Sequence, residues 1–139
     1  MAAPPDSGAD ARRRRASIQI DIYSSRREKP LVWLGASLDD IRAFPAEARR
    51  AAGHQLGRVR QGLEPTDWKP MSSVGSGVIE IRIHTRLEHR VFYVAKFDDA
   101  VYVLHAFEKR TRATPRRAIE LARSRMAELL TDRAKVKQR

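Results

Sequence analysis

Three closely spaced runs of alternating residues constrain the fold of this chain more than any other feature. In VIEIRIH (78–84), isoleucines alternate with charged residues, and the runs HRVFYVAKF (89–97) and AVYVLHAF (100–107) follow closely. A period of two is typical of strands, and a connection as short as the DD that separates the last two runs favours a tight hairpin. The pattern therefore predicts three consecutive antiparallel strands.

The segments before these strands alternate between strand and helix signals. PLVWLG (30–35) predicts a short strand, and SIQIDIY (17–23) predicts a further one from its alternating isoleucines. Ser37 is the predicted cap of a short helix, and Pro45 begins a second segment with a narrow apolar stripe at helical spacing. The two form either a helical hairpin or one bent helix.

Two further segments complete the predicted order of elements. EPTDWKPMSSVGSG (64–77) is predicted to be a loop because it holds two prolines and two glycines. Thr114 and Pro115 begin a C-terminal helix. Helices gathered on one face of a mainly antiparallel sheet make an α+β domain, and this arrangement leaves the other face of the sheet open.

Length and composition indicate one globular domain in the cytoplasm. A chain of 139 residues is long enough for one domain and short for two. Residues 1–28 are interpreted as a flexible or weakly structured extension, 29–131 as the domain and 132–139 as a basic tail. The chain has no cysteine, no long apolar run and no apolar segment after its N-terminal arginines, so we expect no disulfide, membrane span or export signal.

Net charge indicates the class of partner. The formal net charge is +11, and the segment from Lys109 onward holds eleven basic residues against three acidic ones, which contributes +8. Such asymmetry favours a polyanionic partner, most commonly nucleic acid. The alternative is a basic helix that is only solvated.

The stretch YVLHAFEKRTRATP (102–115) places this charge at a specific point in the fold. A predicted strand ends in Lys109, Arg110 and Arg112, and the next helix begins with Arg116 and Arg117. Cations at a helix N-terminus face the positive end of the helix dipole, which is unfavourable. An anion bound there would offset this cost.

The charged face of the predicted sheet fits metal-independent RNA cleavage. Cutting RNA through its own 2′-hydroxyl needs a base, cations for the phosphorus oxygens and an acid for the leaving oxygen. Glu80 is the candidate base, and His84 or His105 is the candidate acid. The candidate cations are Arg82, Arg90, Lys109 and Arg110. The alternative is a solvated face with ordinary cross-strand ion pairs.

Other polar and aromatic residues carry weaker signals. His54 and His89 are predicted surface residues, and the four histidines are too scattered for a zinc site, so no metal or cofactor is expected. Trp68 either stacks on a base or pins its loop to the core. With Lys69, Arg112, Arg116 and Arg117 it completes the candidate RNA-binding set.

Four blocks of this sequence resemble the phage-derived, HigB-like branch of the RelE/ParE toxin superfamily. They are KPLVWLGASLDDIRAFP, GLEPTDWKPMSSVGSGVIEIR, RVFYVAKFDDAVYVLHAFEKRT and TPRRAIELARSRMAEL, and they extend from about Lys29 to Leu130. The most specific block is VYVLHAFEKRT followed by TP. The resemblance implies a RelE-like fold: a small twisted antiparallel sheet with an N-terminal helical hairpin and a C-terminal helix.

The resemblance also implies a function and its partners. The toxins of this superfamily belong to type II toxin–antitoxin pairs, and RelE-like members cut messenger RNA on the ribosome. The implied partners are the ribosome, messenger RNA and a cognate antitoxin, usually with a helix-turn-helix domain, through which alone the toxin reaches operator DNA.

Residue roles follow from the resemblance in part. Glu80 and Arg82 match the positions of base or lysine residues on the second strand, Arg90 matches a phosphate-holding arginine, and Lys109 with Arg110 matches a basic pair. The departure is the general acid, because relatives carry a Tyr or His near the C-terminus and this chain does not. Two alternatives stay open: a ParE-like toxin that inhibits DNA gyrase without cutting RNA, and a catalytically inactive RNA- or ribosome-binding domain.

Overall fold

The computed structural model describes residues 28–137, which form one five-stranded sheet packed between helices. The elements are β1 (Leu31–Trp33), α1 (Ser37–Arg42), α2 (Ala46–Arg60), β2 (Trp68–Pro70), β3 (Val78–His84), β4 (Glu88–Val94), β5 (Val101–Glu108) and α3 (Arg116–Lys137). The strand order is β1-β5-β4-β3-β2, with β1 parallel to β5 and the other pairs antiparallel. The predicted α+β fold is confirmed, and it is consistent with a RelE-like fold.

The three alternating runs form the centre of this sheet, as predicted. β3 and β4 pair without interruption from Val78 opposite Val94 to His84 opposite Glu88. Residues directly opposite each other share a face, so Glu80 lies beside Phe92, and Arg82 lies beside Arg90. The predicted strand over 17–23 lies outside the described residues.

The prediction of a continuous loop over 64–77 is wrong at one point. β2 pairs antiparallel with β3 inside this segment, with Trp68 opposite Ile81 and Lys69 opposite Glu80. The strand is three residues long and lies at the edge of the sheet, where Pro70 does not interrupt a central ladder. A pattern this short gives no measurable period.

The helices α1 and α2 cover one face of the sheet. Small residues at helical spacing on α2, Ala48 and Ala52, are fully buried and allow close approach to the strands. Leu56 completes this contact with Ile81 and Val91 of the sheet. The predicted hairpin is therefore present as two separate helices.

The prediction that the other face is open is wrong, because α3 covers much of it. Ala122 and Met126 of α3 are buried against Phe92 and Leu104. Apolar residues three and four positions apart predict a helix, but this spacing does not say which face of the sheet the helix covers. α3 extends to Lys137, well into the segment that the sequence sets apart as a basic tail.

A β-bulge interrupts the pairing of β4 with β5. Phe92 is opposite His105 and Tyr93 is opposite Val103, so Leu104 has no partner across the ladder. The extra residue breaks the simple alternation of β5 and places both Leu104 and His105 toward the α3 side. Alternation alone would put His105 on the same face as Val103.

Candidate functional site

A buried carboxylate between two arginines forms the floor of the candidate site. Glu80 is 0% exposed, and its Oε1 lies 3.5 Å from Arg82 Nε. Its Oε2 lies 3.9 Å from Arg90 Nε and accepts a hydrogen bond from Thr114 Oγ1 at 3.5 Å. Alternation on β3 puts Glu80 and Arg82 on one face, and the β3–β4 register brings Arg90 to them.

These three charged groups do not fully satisfy one another. Glu80 Oε1, Arg82 Nε and Arg90 Nε are buried and make no hydrogen bond within the described part of the chain. A buried polar atom without a partner costs free energy, and such costs are retained most often at functional sites. The cluster is therefore more informative than an ordinary cross-strand ion pair.

A basic cleft lies beside this Glu80–Arg82–Arg90 cluster, whose members do not themselves line it, between β2 with its following turn and the loop that joins β5 to α3. We call it the basic cleft; its volume is ≈ 430 Å³. Its polar lining residues are Lys69, Ser72, Ser73, Lys109, Arg112 and Thr114. Thr114 links the cleft to the buried Glu80–Arg82–Arg90 cluster, because it also contacts Glu80.

The first turn of α3 adds to the positive potential of the basic cleft. Ile119 lines the cleft, and the first turn of α3 contains no acidic residue. Helix N-termini carry a partial positive charge and bind phosphate and carboxylate groups. Lysine, arginine, hydroxyl groups and a helix N-terminus in one cleft are therefore suited to phosphate.

His84 lies at the far end of the same strand face, between two carboxylates. Its Nε2 is 2.6 Å from Asp67 Oδ2 and its Nδ1 is 2.7 Å from Glu88 Oε1. The hydrogen bond with Asp67 and then that with Glu88 raise the pKa of His84, and the same contact lowers the pKa of Glu88. The His84 side chain is 51% exposed, so this imidazole ring is open to solvent.

His105 differs from His84 because its side chain is largely buried and its pKa is lowered rather than raised. Its side chain is 12% exposed and its Nδ1 lies 3.2 Å from Asp40 Oδ2 of α1. Burial lowers the pKa of His105 despite the nearby Asp40. The ring also stacks on Phe107, and Arg125 of α3 contacts both Asp40 and the Leu104 carbonyl oxygen, so His105 lies in a packed junction of β5, α1 and α3.

The prediction that His89 is a surface residue is wrong. His89 is 1% exposed, and its ring packs on Phe44 with centroids 4.3 Å apart. On β4 it alternates with Glu88 and Arg90, so it faces α1 and α2 rather than the charged face. Burial lowers the pKa of His89, which favours the neutral imidazole.

The remaining predicted site residues lie at different distances from the cleft. Arg110 is exposed and pairs with Glu108, while Arg116 and Arg117 are exposed in the first turn of α3. Trp68 is opposite Ile81, so it belongs to the face away from Glu80. The structure thus gathers Lys69, Lys109 and Arg112 and leaves Trp68 apart.

Two features are absent from residues 28–137. No group of three or more His, Cys, Asp or Glu side chains in this range has an arrangement that could hold a metal ion. No helix in the same range is long and apolar enough to cross a membrane.

The fold and the site together define a class: a small α+β protein, consistent with a RelE-like architecture, with a basic cleft beside a buried Glu–Arg cluster. Comparison with protein families identifies the member of that class. The family described as Phage derived protein Gp49-like (DUF891) matches residues 39–127, and the chain belongs to this family. The family is part of the RelE/HigB-like superfamily of toxin–antitoxin toxins. No curated protein matches the chain significantly.

Proposed function

We propose that this chain is the toxin of a type II toxin–antitoxin pair and that it cuts messenger RNA on the ribosome. Membership of the Gp49-like family supports the toxin assignment. The observation that carries the nuclease assignment is the basic cleft together with the adjoining carboxylate flanked by two arginines, which Thr114 links to the cleft. Phosphate binding needs the cations, and proton transfer needs the carboxylate.

The proposed reaction uses the 2′-hydroxyl of RNA as nucleophile and needs no metal. The hydroxyl proton passes to Glu80, the 2′-oxygen bonds to phosphorus, and the 5′-oxygen leaves with a proton from the general acid. Arg82, Arg90 and Lys109 stabilise the charge that develops on the phosphorus oxygens. The products are a 2′,3′-cyclic phosphate and a 5′-hydroxyl end.

Access to Glu80 is the demanding step in this proposal. Its carboxylate is enclosed, and Thr114 contacts it at 3.5 Å, which is a weak hydrogen bond. RNA reaches Glu80 only when the loop that carries Thr114 moves away from β3. In the enclosed arrangement, Glu80 acts as a counter-ion that holds Arg82 and Arg90 in place.

Exposure and the direction of the pKa shift favour His84 over His105 as the general acid. His84 then acts once RNA displaces Asp67 or Glu88 from its ring, since these carboxylates occupy both ring nitrogens in this arrangement. A general acid must carry a proton near neutral pH and must reach the leaving oxygen. His84 is exposed and has a raised pKa, whereas His105 is packed and has a lowered one. His84 also shares its strand face with Arg82, because both alternate with Ile83 on β3.

The proposed partners follow from the same assignment. A cognate antitoxin, of the helix-turn-helix type, neutralises the toxin and carries it to operator DNA, while the ribosome presents messenger RNA to the basic cleft in the cytoplasm. Exposed Arg116 and Arg117 extend the positive surface beside the cleft toward ribosomal RNA. The cleft itself requires no cofactor in this reaction.

A second candidate function is binding to RNA or the ribosome without cleavage. The enclosure of Glu80 favours it, because a base that is 0% exposed cannot take a proton from a substrate in this arrangement. Inhibition of DNA gyrase, the activity of ParE-like toxins, is the third, and the basic cleft does not discriminate against DNA.

One experiment separates these functions. Wild type, Glu80→Gln, Glu80→Ala and Lys109→Ala are induced in cells, with Arg50→Ala as the matched control, since Arg50 is exposed on α2 on the opposite side of the sheet. The 5′ ends of translated messages are mapped together with DNA breaks. New 5′-hydroxyl ends with wild type and Arg50→Ala, absent with Glu80→Gln, support the nuclease.

Each other outcome assigns a different function. Growth arrest without new RNA ends supports binding without cleavage, and DNA breaks without RNA ends support gyrase inhibition. Cleavage that survives in Glu80→Gln but not in Glu80→Ala assigns Glu80 to positioning of the arginines, because glutamine keeps the shape of the side chain and cannot act as a base.

A further inference from the structure

A second pocket lies on the other face of the sheet, beside the same end of β5. We call it the acidic pocket; its volume is ≈ 220 Å³. It lies where α1 ends and is lined by Asp40, Phe44, His89, Phe107 and Glu108. No lysine or arginine side chain of the described residues lines it. Its two carboxylates each contact an arginine outside the lining, Arg125 for Asp40 and Arg110 for Glu108.

The carboxylates of this pocket are only partly used by the protein. Within residues 28–137, Asp40 makes its contacts with His105 and Arg125 through Oδ2, and Glu108 contacts Arg110 through Oε1. Asp40 Oδ1 and Glu108 Oε2 make no hydrogen bond in this part of the chain. Both remain as acceptors for a ligand.

His89 supplies an independent observation at the same place. The side chain is buried to 99%, it lines the pocket, and its Nδ1 has no hydrogen-bond partner in the described part of the chain. A neutral imidazole has one acceptor nitrogen. A buried ring without a partner is costly unless a further group completes its hydrogen bonds.

We infer that the acidic pocket binds the guanidinium group of an arginine side chain from a partner protein. A guanidinium is planar, stacks on aromatic rings and carries five N–H donors. Phe44 and Phe107 line the pocket, and Asp40 and Glu108 offer carboxylate oxygens that match a forked donor. A lysine ammonium fits the charge of the pocket but not its flat aromatic walls.

RNA is a poor occupant of this pocket. Two carboxylates repel phosphate, and the cations that attract phosphate line the basic cleft instead. The inference does not depend on the proposed nuclease activity, because it concerns a different face of the sheet and a protein partner.

The inference is tested with small probes on the full-length chain. The ¹⁵N-labelled protein is titrated with N-acetyl-arginine methylamide, with its neutral isostere N-acetyl-citrulline methylamide, and with cytidine. We expect the arginine compound to shift the amide signals of Ala43, Phe44 and Ala106 in a saturable way, and the citrulline compound to bind at least about tenfold more weakly.

Variants locate the binding. Glu108→Gln keeps the shape of the side chain and removes one pocket charge, so we expect about tenfold weaker binding of the arginine compound. Glu47→Gln is the matched control, because Glu47 is exposed in the first turn of α2 and does not line the pocket; it leaves binding unchanged. Asp40→Asn repeats the test on the second carboxylate.

Three results overturn the inference. Equal binding of the arginine and citrulline compounds shows that charge is not recognised. Tighter binding of cytidine than of the arginine compound assigns the pocket to nucleobases. Equal losses in Glu108→Gln and Glu47→Gln show that the compound responds to overall charge rather than to this pocket.

Discussion

The basic cleft and the acidic pocket lie at the same end of the same strands yet have opposite chemistry. Glu108 ends β5 in the acidic pocket, and the next residue, Lys109, lines the basic cleft. On β4, His89 faces α1 and α2, while Arg90 faces Glu80. One step along an extended strand reverses the face, so adjacent residues supply two sites of opposite charge.

The two sites also differ in how their charges are held. Beside the basic cleft the carboxylate of Glu80 is enclosed between two arginines, whereas the carboxylates of the acidic pocket are partly exposed. Charges that are enclosed depend on one another for stability, and exposed charges do not. Substitutions in the two sites are therefore expected to have very different consequences.

The largest expected effect is on the free energy of unfolding, for a substitution of Glu80 beside the basic cleft. Glu80→Ala removes the carboxylate between Arg82 and Arg90 and leaves the nearly buried Arg90 with Glu88 as its remaining partner. We expect a loss of about 3 kcal/mol in the free energy of unfolding, measured by urea denaturation. Glu108→Ala in the acidic pocket costs less than about 1 kcal/mol. Similar losses in both variants would contradict the comparison.

The next effect is on RNA affinity. Lys109→Ala combined with Arg112→Ala removes two cations from the basic cleft. The slope of log affinity for single-stranded RNA against log salt concentration is expected to fall by about 0.7 for each lost phosphate contact. Arg50→Ala, on the other side of the sheet, leaves the slope unchanged. An unchanged slope in the double variant means that RNA does not bind in the cleft.

Two histidines on opposite faces are expected to give opposite pH dependence of stability. The pKa of His84 is raised, so its contribution is complete below the unfolded value of about 6.5 and is lost as pH rises through the folded pKa. The pKa of His89 is lowered, so its contribution is complete above about 6.5 and is lost as pH falls through the folded pKa.

Unfolding of His84→Asn and His89→Phe, followed from about pH 5 to about pH 8, measures both dependences. His84→Asn is expected to remove the decline at higher pH, by less than about 1 kcal/mol because the side chain is half exposed. His89→Phe is expected to remove the decline at lower pH. The same sign of change in both variants would show that their surroundings do not differ as described.

The smallest expected effect belongs to Arg110, which joins the two sites at the surface. Its guanidinium is exposed and its one ion pair in the described chain is with Glu108. Arg110→Ala is expected to leave the unfolding midpoint unchanged and to bind the arginine compound slightly more tightly, since Glu108 Oε1 is released. A clear loss of stability would show that this surface pair contributes more than exposed pairs normally do.

Local sequence patterns were sufficient for much of the fold. Alternation over 78–84 predicts β3, and the same alternation predicts that Glu80, Arg82 and Arg90 meet, which the structure shows. β2 could not be predicted, because a strand of three residues is too short to show an alternating pattern. The position of α3 could not be predicted either, because the apolar stripe of a helix does not specify which face of the sheet the helix covers.

The candidate site could be predicted only in part, because contacts between separate elements determine the surroundings of His84 and His89. His84 meets Asp67 across a turn and a neighbouring strand, and this contact decides the pKa of His84. The burial of His89 depends on Phe44 of a distant loop. Such contacts arise from packing between elements, and the spacing of residues along one element does not encode them. The catalytic roles of the predicted residues stay predictions.

The β-bulge at Leu104 gives β5 an unusual tolerance to changes in length. The pairs on either side of it, Tyr93 with Val103 and Phe92 with His105, would become continuous if Leu104 were deleted. Both halves of the ladder would keep their partners, and the charged end of β5 would keep its faces. The deletion would remove only one apolar side chain from the contact with α3 and the carbonyl oxygen that Arg125 binds. A one-residue deletion at this point is thus the length change in β5 that keeps the strand register, although it removes a fully buried core side chain.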